Sequence, residues 1–367
     1  MEQKLAQAFF DLSCEVLMIC STANRIDSKT VIHAHSGEYR VDGYTVCRLP
    51  FISGRNLTKR KMPVLLKGMY KRLSKYHPDI IYHMSCSALN LLSVRKYMKR
   101  NPDTLLYVDN HATLYNSANN ALSRVILHRM IYRAVLLSVD KWIKRYFYVG
   151  KGEKVFLEDF YKVKKEKCSF FSLGDFVFDE KEYCANRNKI RNRYHIDENN
   201  IVISYSGKFT KKKRTIEIIS MISQLLREYD NLAFLLIGQV QDNSIENRFN
   251  ELLEHAPNRF YFLGWKNSES LKECLCASDI YIQFDPSSTF QTALCCHNYG
   301  ITGNVGGAYD TYPEEVFSKV NDMNELSLAI VNAFKDGDLQ KRKDRSYMYA
   351  KEALDYRKQI CRIMDEN

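Results

Sequence analysis

The chain has 367 residues, 45% of them apolar, which is enough to bury a large core and favours two domains over one. Its 11 cysteines are odd in number, are scattered from Cys14 to Cys361 and lack metal-ligand spacing. Neither a disulfide framework nor a zinc site is therefore expected, and the expected compartment is a reducing cytoplasm. Charges interrupt the N-terminal apolar run and every other window, so neither a secretion signal nor a membrane span is expected.

Strands and helices alternate through the first half. Apolar alternation predicts strands over residues 15–21, 30–35, 45–49, 79–83, 104–109 and 146–149, and helical periodicity predicts helices over 2–10, 63–76 and 88–100. The pattern lapses around Gly174, which predicts a domain boundary after residue 178. Residues 1–178 are therefore expected to form one Rossmann-like domain.

The net charge of +11 is concentrated in this first domain. Residues 51–150 carry 18 Lys and Arg against 4 Asp and Glu, in the basic stretches 55–75, 95–100 and 123–145. The third stretch, SRVILHRMIYRAVLLSVDKWIKR, predicts a basic amphipathic helix. Two interpretations fit it: a helix that lies on an anionic membrane surface, or a core helix with a solvated charged face. No nucleic acid is expected as a partner, because zinc spacing, a helix-turn-helix and an RNP-type aromatic motif are all missing from the sequence.

The second half continues the alternation. Strands are predicted over residues 201–205, 233–237, 259–263 and 279–284, and a last helix over about 339–364. A strand, a Gly, a basic loop and a helix open this half as ISYSGKFTKKKRTIEIISMI. In such α/β sheets ligands bind at the carboxyl ends of the strands, so this order predicts a phosphate-binding edge.

Several motifs resemble those of the GT-B glycosyltransferases of family 4. They are PDII at 78–81, SLGDFVFDEKEY, SGKFTKKK, FLGW, ASDIYIQFDPSS and CHNYGITGNVGG, nearly continuous from about residue 172 to 316 and patchy before it. The resemblance implies a GT-B fold, an α/β architecture of two Rossmann-like domains facing each other across a cleft. In that fold residues 179–340 form the nucleotide-sugar domain, and residues 341–367 form a C-terminal helix that packs back on the first domain.

The family also implies roles for the basic loop. Gly207 lets the backbone turn after the strand, and Lys208 and Lys213 can reach the two phosphates of a nucleotide diphosphate leaving group. In the family, basic residues at these two positions neutralise the charge that builds as the glycosidic phosphate bond breaks. A merely solvated KKKR loop is the alternative, and Lys211, Lys212 and Arg214 are expected to flank the site.

The remaining donor-binding candidates follow from the same resemblance. Gly238, Leu263, Gly264 and Trp265 match segments that approach the nucleotide, Ser287, Ser288 and Thr289 open a helix facing the diphosphate or sugar, and Gly306, Gly307 and Asp310 close the motif. Each also has a structural explanation, since glycines form turns and hydroxyl residues cap helices.

The chain departs from the family in two places. Family members usually carry two glutamates eight positions apart here, whereas no carboxylate lies between Asp285 and Asp310. Gln291, Thr292 or Cys295 then stands near the lost glutamates. The chain also opens on a helix where the family has a strand and a Gly-rich loop.

The first domain is expected to supply the acceptor side. YVDNH places Asp109, Asn110 and His111 at a strand end, and the family often carries a His there that faces the donor sugar; His83 is a weaker candidate.

The resemblance implies a retaining, metal-independent hexosyltransferase that needs no cofactor. It would move a sugar from a nucleotide-diphosphate sugar to a surface polysaccharide, such as a capsule or O-antigen, or to a polyprenol-linked precursor, as a cytoplasmic protein peripheral at the inner membrane face. The alternative is a non-catalytic binding protein on a degenerate glycosyltransferase scaffold, with a nucleotide-sugar epimerase as a further enzyme of similar architecture.

Overall fold

A computed structural model describes residues 2–25, 31–52, 65–285, 287–305 and 309–365. Contacts divide the chain into two units, Met1–Ser172 and Leu173–Asn367, which are described separately below. This division falls six residues before the boundary expected from the sequence, and it assigns the C-terminal helices to the second unit. None of the helices in the described ranges is long and apolar enough to cross a membrane.

The first unit consists of short strands and helices. Its strands are β1 (Leu17–Ser21), β2 (Ala23–Arg25), β3 (Val31–His33), β4 (Gly37–Val41), β5 (Tyr44–Leu49), β6 (Ile80–His83), β7 (Leu105–Asn110), β8 (Ile143–Tyr148) and β9 (Cys168–Phe170). Its helices are α1 (Glu2–Asp11), α2 (Met69–Tyr76), α3 (Leu91–Met98), α4 (Arg133–Leu137) and α5 (Lys151–Val155). Two further segments, Ser123–Tyr132 and Phe156–Phe160, are wound as π-helix.

Parallel pairing builds the main sheet of this unit. Strands β6, β7, β8 and β9 lie side by side in that order and are parallel throughout. A separate sheet pairs β5 in parallel with β1 and antiparallel with β4. Because neighbouring strands of the main sheet run the same way, the carboxyl ends of β6 and β7 bring His83 and Asn110 to one edge.

The second unit repeats the alternation with longer elements. Its strands are β10 (Ile201–Phe209), β11 (Leu232–Val240), β12 (Phe260–Gly264), β13 (Ile280–Gln283), β14 (Tyr299–Gly303) and β15 (Phe317–Val320). Its helices are α6 (Glu180–Arg193), α7 (Thr215–Glu228), α8 (Glu246–Glu254), α9 (Ser268–Cys276), α10 (Thr289–Cys295), α11 (Met323–Lys335), α12 (Leu339–Tyr349) and α13 (Tyr356–Asp365).

All strands of the second unit that the structure describes form one parallel sheet, in the order β12, β11, β10, β13, β14, β15. From β10 the strands are added towards one edge of the sheet up to β12, and from β13 towards the other edge. The position between β10 and β13 is therefore the switch point at which doubly wound sheets bind ligands. The central strands are buried along nearly their whole length, as helices on both faces require, and this explains their continuous apolar sequence.

The predicted C-terminal helix over 339–364 is interrupted in the structure. Helix α12 ends at Tyr349, and α13 restarts at Tyr356 after Asp355, whose backbone is extended. Asp355 forms a parallel bridge with Asp175, and its carboxylate accepts hydrogen bonds from the backbone N–H groups of Val177 and Arg357. Asp355 thus leaves the helical conformation to pair with the segment 175–177, which is why the helix stops there. That this helix packs against the first unit stays a prediction.

A buried carboxylate fastens α6 and α12 to the sheet. Asp279, at the amino end of β13, accepts hydrogen bonds from Arg187 Nη2 at 2.8 Å, Arg191 Nη2 at 2.9 Å and Lys343 Nζ at 2.7 Å. It also accepts one from the backbone N–H of Val202 at 2.9 Å. Burial alone would raise the pKa of Asp279, but Lys343 and Arg187 outweigh it and the pKa is lowered.

Candidate functional site

Two paired glycines form the base of the candidate site in the second unit. Gly207 on β10 lies opposite Gly238 on β11 in the parallel register, with φ values of +141° and +150°. A Cβ on Gly238 would lie 1.9 Å from the Gly207 carbonyl oxygen, so only glycine fits there. Pairing continues beyond both glycines to Phe209 and Val240, which makes these strands longer than the sequence predicted.

The basic loop after β10 is held by its own hydrogen bonds. Thr210 Oγ1 accepts from the backbone N–H of Lys213 at 3.3 Å, and Thr215 Oγ1 lies 3.1 Å from the hydroxyl of buried Tyr205. Asp242 accepts a hydrogen bond from the backbone N–H of Lys211 at 3.2 Å. These bonds hold the loop at the carboxyl edge of the sheet, although the side chains of Lys211 and Lys212 are exposed.

Lysine charges converge at this edge. Lys208 is exposed, whereas Lys213 is half-buried, and a Cβ at Gly207 would lie 3.6 Å from Lys213 Nζ. Burial lowers the pKa of Lys213; Asp285 opposes this shift, and the neighbouring charges of Lys212 and Lys208 add to it. A bound anion would relieve this crowding of positive charge.

One carboxylate at this edge was not singled out in the sequence. Asp285 follows β13 and lies 3.5 Å from Lys212 Nζ, and its charge also acts on Lys213. Arg214, the next residue of the loop, places its guanidinium 4.4 Å from the ring centre of Phe284. The position of Asp285 directly after a strand was the signal that could have indicated it.

The carboxyl end of β12 presents an aromatic residue. Leu263 is buried, Gly264 turns the chain with φ of +66°, and Trp265 is exposed. Leu263 therefore belongs to the core, and Trp265 has a free face on which a ring could stack.

The start of α10 is organised by a buried glutamine. Gln283, the last residue of β13, accepts a hydrogen bond from Ser287 Oγ at 2.9 Å and donates one to the Tyr309 hydroxyl at 2.9 Å. Ser288 occupies the N-cap position of α10 without a side-chain cap bond, and Thr289 begins the helix half-buried. Capping therefore does not account for Ser288.

The three candidates for positions near the missing glutamates are all engaged or buried inside the unit. With its amide oriented to satisfy its neighbours, Gln291 donates to the carbonyls of Ser287 and Ser288 and accepts from the Tyr312 hydroxyl. Thr292 Oγ1 donates to Asp175 Oδ2 at 2.8 Å, although 117 residues separate the two in sequence. Cys295, the third candidate, is fully buried, and burial raises the pKa of its thiol.

Asp175 thus brings a carboxylate to α10 from the motif SLGDFVF. It is fully buried, and Lys272 Nζ lies 3.5 Å from its Oδ1. The motif was recognised in the sequence, but the carboxylate within it was not singled out, because its partner Thr292 is distant along the chain.

Of the closing motif, only Asp310 lies in a described range. Lys319 Nζ donates to Asp310 Oδ1 at 2.5 Å, so the carboxylate is paired with a lysine of β15. Gly306 and Gly307 lie outside the described residues. A cluster of three or more His, Cys, Asp or Glu side chains suited to a metal ion is not found in the described ranges.

In the first unit, the predicted histidine is oriented by a buried carboxylate. His111 Nε2 lies 3.3 Å from Asp109 Oδ2, and Asp109 Oδ1 accepts the backbone N–H of Ser85 at 2.6 Å. Burial lowers the pKa of His111, but the hydrogen bond to Asp109 and the charge of that residue outweigh it, so the pKa lies above the ordinary value. Asn110 instead bonds the backbone of Ala112 and Glu153.

The pKa of His83 is shifted in the opposite direction to that of His111. Burial lowers the pKa of His83 to about 4, and its Nδ1 lies 3.1 Å from the Ser85 carbonyl oxygen. His83 is therefore enclosed and its imidazole is neutral near pH 7, whereas His111 is half-exposed.

Comparisons with known proteins agree with this architecture. Residues 186–349 match the family model for glycosyl transferases group 1. A comparison with curated proteins gave no match.

Solved structures resemble the chain over most of its length. HepE of Anabaena, solved with UDP and glucose, is 15% identical with a TM-score of 0.59, over 89% of this chain and 87% of HepE. WaaG, a glycosyltransferase involved in lipopolysaccharide biosynthesis, is 13% identical with a TM-score of 0.58, over 100% of this chain and 95% of WaaG.

A third similar structure comes from E. coli and is described as trehalose-6-phosphate bound with UDP-2-fluoro glucose. It is 12% identical with a TM-score of 0.64, over 99% of this chain and 95% of that one. At these identities the likeness establishes the fold, which confirms the predicted class. The chain therefore has the GT-B glycosyltransferase fold, and its residues 186–349 match the glycosyl transferases group 1 family.

Proposed function

We propose that this protein transfers a sugar, as a hexosyltransferase, from a nucleotide-diphosphate donor held at the carboxyl edge of the second unit's sheet. The observation that carries the proposal is the Gly207 and Gly238 pair beneath Lys213. Gly238 lets β11 pass close to the Gly207 carbonyl, Gly207 leaves open space on the side of Lys213 Nζ, and the half-buried lysine supplies a cation there. The family match over residues 186–349 and the UDP and UDP-sugar complexes of similar structures support this donor class.

Lys208 and Lys213 are assigned to the leaving group. As the bond between sugar and phosphate breaks, negative charge grows on the diphosphate, and fixed cations there stabilise the transition state more than the ground state. In this proposal the two lysines provide that charge without a metal ion, and the product keeps the anomeric configuration of the donor. Both features follow from the resemblance to family 4.

His111 is assigned to the donor-sugar side of the reaction. Asp109 fixes the imidazole and raises its pKa, which favours a protonated ring able to donate a hydrogen bond to a sugar oxygen. Trp265, Ser287, Ser288 and Thr289 are assigned to donor binding on the same grounds as in the sequence.

The test is a panel of UDP-, GDP- and other nucleotide sugars, with binding measured by calorimetry and turnover by release of nucleoside diphosphate. One donor class is expected to bind, and Lys208→Ala and Lys213→Ala are each expected to weaken it about 10- to 100-fold, the range for losing a charge-assisted hydrogen bond. Lys211→Ala is the matched control, because that lysine belongs to the same loop and is exposed.

Two outcomes would contradict the proposal. If no nucleotide sugar binds, the phosphate-site assignment is wrong. If Lys211→Ala weakens binding as much as Lys213→Ala, the loop acts through its overall charge and the specific assignment fails.

The proposed acceptor is a surface polysaccharide, such as a capsule or O-antigen, or its polyprenol-linked precursor, at the inner face of the membrane. The basic first domain supports this, since residues 51–150 carry a net charge of +14 and such precursors bear phosphate. Incubation with a lipid-linked acceptor and the identified donor should give a labelled product that partitions into the organic phase.

A second candidate is a binding protein on a degenerate scaffold. It is favoured by the absence of carboxylates in the sequence between Asp285 and Asp310, and by the engagement of Gln291 and Thr292 within the unit. Donor binding without release of nucleoside diphosphate, with or without acceptor, would select this alternative. Conversion of the donor sugar without an acceptor would indicate an epimerase.

A further inference from the structure

The segment that follows the His111 loop exposes an apolar face. Helical residues 121–137 include the π-wound stretch Ser123–Tyr132 and α4. Leu122 and Met130 have 66% and 62% of their surface accessible, and Val125, Ile126 and Ile131 are exposed as well. Exposed apolar side chains this close together on a soluble domain indicate an interaction surface.

The opposite face of the same segment is the one that packs on the core. His128 is buried, donates or accepts a hydrogen bond with the Tyr161 hydroxyl at 2.8 Å, and lies against the ring of Phe156. Leu136 is fully buried eight residues later. The line from Leu122 through Ile126 to Met130 is offset from this buried line by two residues, or about half a turn, so it points away from the core.

This arrangement favours the first of the two interpretations of the basic helix. A core helix with a solvated charged face would bury its apolar residues and expose only its charges. Instead Val125, Met130, Ile131 and Leu137 are exposed beside the arginines. The apolar face is therefore available to a partner.

The charges around the face are of one sign. Residues 110–139 contain three arginines, Arg124, Arg129 and Arg133, and no Asp or Glu. Within the described ranges none of the three forms an ion pair; Arg124 Nε and Arg133 Nε donate to the carbonyls of Ala118 and Tyr161, at 3.2 and 3.1 Å. Their positive charge is therefore uncompensated and attracts an anionic partner.

The loop before the helix extends the face and is pre-ordered. Asn116 Oδ1 accepts the backbone N–H of Thr113 at 2.9 Å, and Asn116 Nδ2 donates to the His111 carbonyl at 2.9 Å. This turn presents Tyr115, which is 87% exposed, next to Leu114. Tyrosine with its ring outward is typical of the boundary between lipid headgroups and acyl chains.

We infer that residues 114–137 are the surface by which this protein docks on an anionic lipid bilayer, with the apolar side chains entering the headgroup boundary and the arginines contacting lipid phosphates. Apolar area combined with unpaired arginines fits an anionic interface better than it fits a folded protein partner, whose core contacts are depleted in charge. The inference rests on the proposed function in one respect: the face begins three residues after His111, so docking would bring a lipid-linked acceptor to the acceptor-side loop.

The test is co-sedimentation of the full chain with vesicles of phosphatidylcholine alone or mixed with phosphatidylglycerol, without donor or acceptor. Binding is expected only to the mixed vesicles, and it should fall with added salt. The double variant Leu122→Ser with Met130→Ser, and separately Arg124→Gln with Arg129→Gln, should each weaken binding about tenfold or more.

The matched control is Leu328→Ser with Met348→Ser, which removes two similarly exposed apolar side chains from the second unit. It should leave vesicle binding unchanged, and circular dichroism should show all variants folded. Lys213→Ala should also bind vesicles normally while losing donor affinity, so a failure of the donor assignment and a failure of this inference give different results.

Three results would overturn the inference. They are no binding of the wild-type chain to mixed vesicles, binding that both face variants retain in full, and concentration-dependent self-association that the apolar variant abolishes. The last would assign the face to a contact between two copies of the chain.

Discussion

Asp279→Asn should be among the most destabilising single substitutions in the second unit. The change keeps the shape of the side chain but removes the negative charge that Arg187, Arg191 and Lys343 share. Arg191 and Lys343 are 3% and 5% exposed, so their charges would remain buried without a counterion. Breaking a buried ion pair from one side costs about 3–5 kcal/mol, a large share of the 5–15 kcal/mol that keeps a domain folded.

The assay is urea unfolding followed by circular dichroism, with hydrogen exchange measured on peptides from α6 and α12. Those two helices should exchange faster in Asp279→Asn, because the carboxylate joins them to the sheet. Lys343→Met should cost less, since it leaves Asp279 with both arginines. The lowered pKa of Asp279 adds a second readout: its stabilisation is present above the ordinary carboxyl pKa and is lost as pH falls through the folded-state value.

Asp230→Asn is the control, because that carboxylate pairs with Arg259 at 3.3 Å while fully exposed, and no measurable change is expected. If Asp279→Asn cost under about 1 kcal/mol and left exchange in α6 and α12 unaltered, the reasoning that buried cations depend on Asp279 would be refuted.

Two further predictions concern the sheet edges. Gly238→Ala should destabilise the chain by at least about 3 kcal/mol and abolish donor binding, since its Cβ would meet the Gly207 carbonyl. The control is Gly337→Ala, where φ is +75° but the space is open, and it should cost only about 1 kcal/mol. Equal losses of stability would show that backbone strain, and not the clash, causes the destabilisation. The pKa of His83 is lowered to about 4, so in the folded chain its imidazole stays neutral over a pH range in which the unfolded chain binds a proton. The free energy of unfolding should therefore decrease by roughly 3 kcal/mol as the pH is lowered from about 6.5 to 4. His83→Phe should flatten this part of the pH profile, and an unchanged slope would contradict the assignment.

The sequence was informative wherever the signal was local. Apolar runs located β10, β11, β12 and β13, and the Gly and Lys residues after the predicted strand 201–205 marked the edge where the structure places the basic loop. It erred where long-range contacts prevail. The helix expected over 339–364 breaks at Asp355 because that residue bridges to Asp175, 180 positions earlier, and periodicity within the helix carries no trace of the bridge.

The candidate site shows the same division. His111, Lys208 and Lys213 could be nominated from the sequence because each follows a predicted strand and matches a position that is functional in the family the chain resembles. The engagement of Thr292 by Asp175, the network around Gln283 and the charge of Asp285 beside Lys212 were not visible, since their partners come from different elements. The exposed side of the helical segment 121–137 was equally undetermined, because periodicity shows that a helix has two faces but not which one is covered.

The sequence by itself determined the α/β class and the order of most elements, because hydrophobic periodicity is a local property of the chain. The phosphate-binding edge that it indicated stays a prediction. Tertiary structure alone decided which carboxylates meet which cations, where the last helix breaks and which helical face stays exposed. These depend on packing between residues far apart in sequence, where the free energy of burying a charge or an apolar side chain is set by neighbours that the local pattern does not contain.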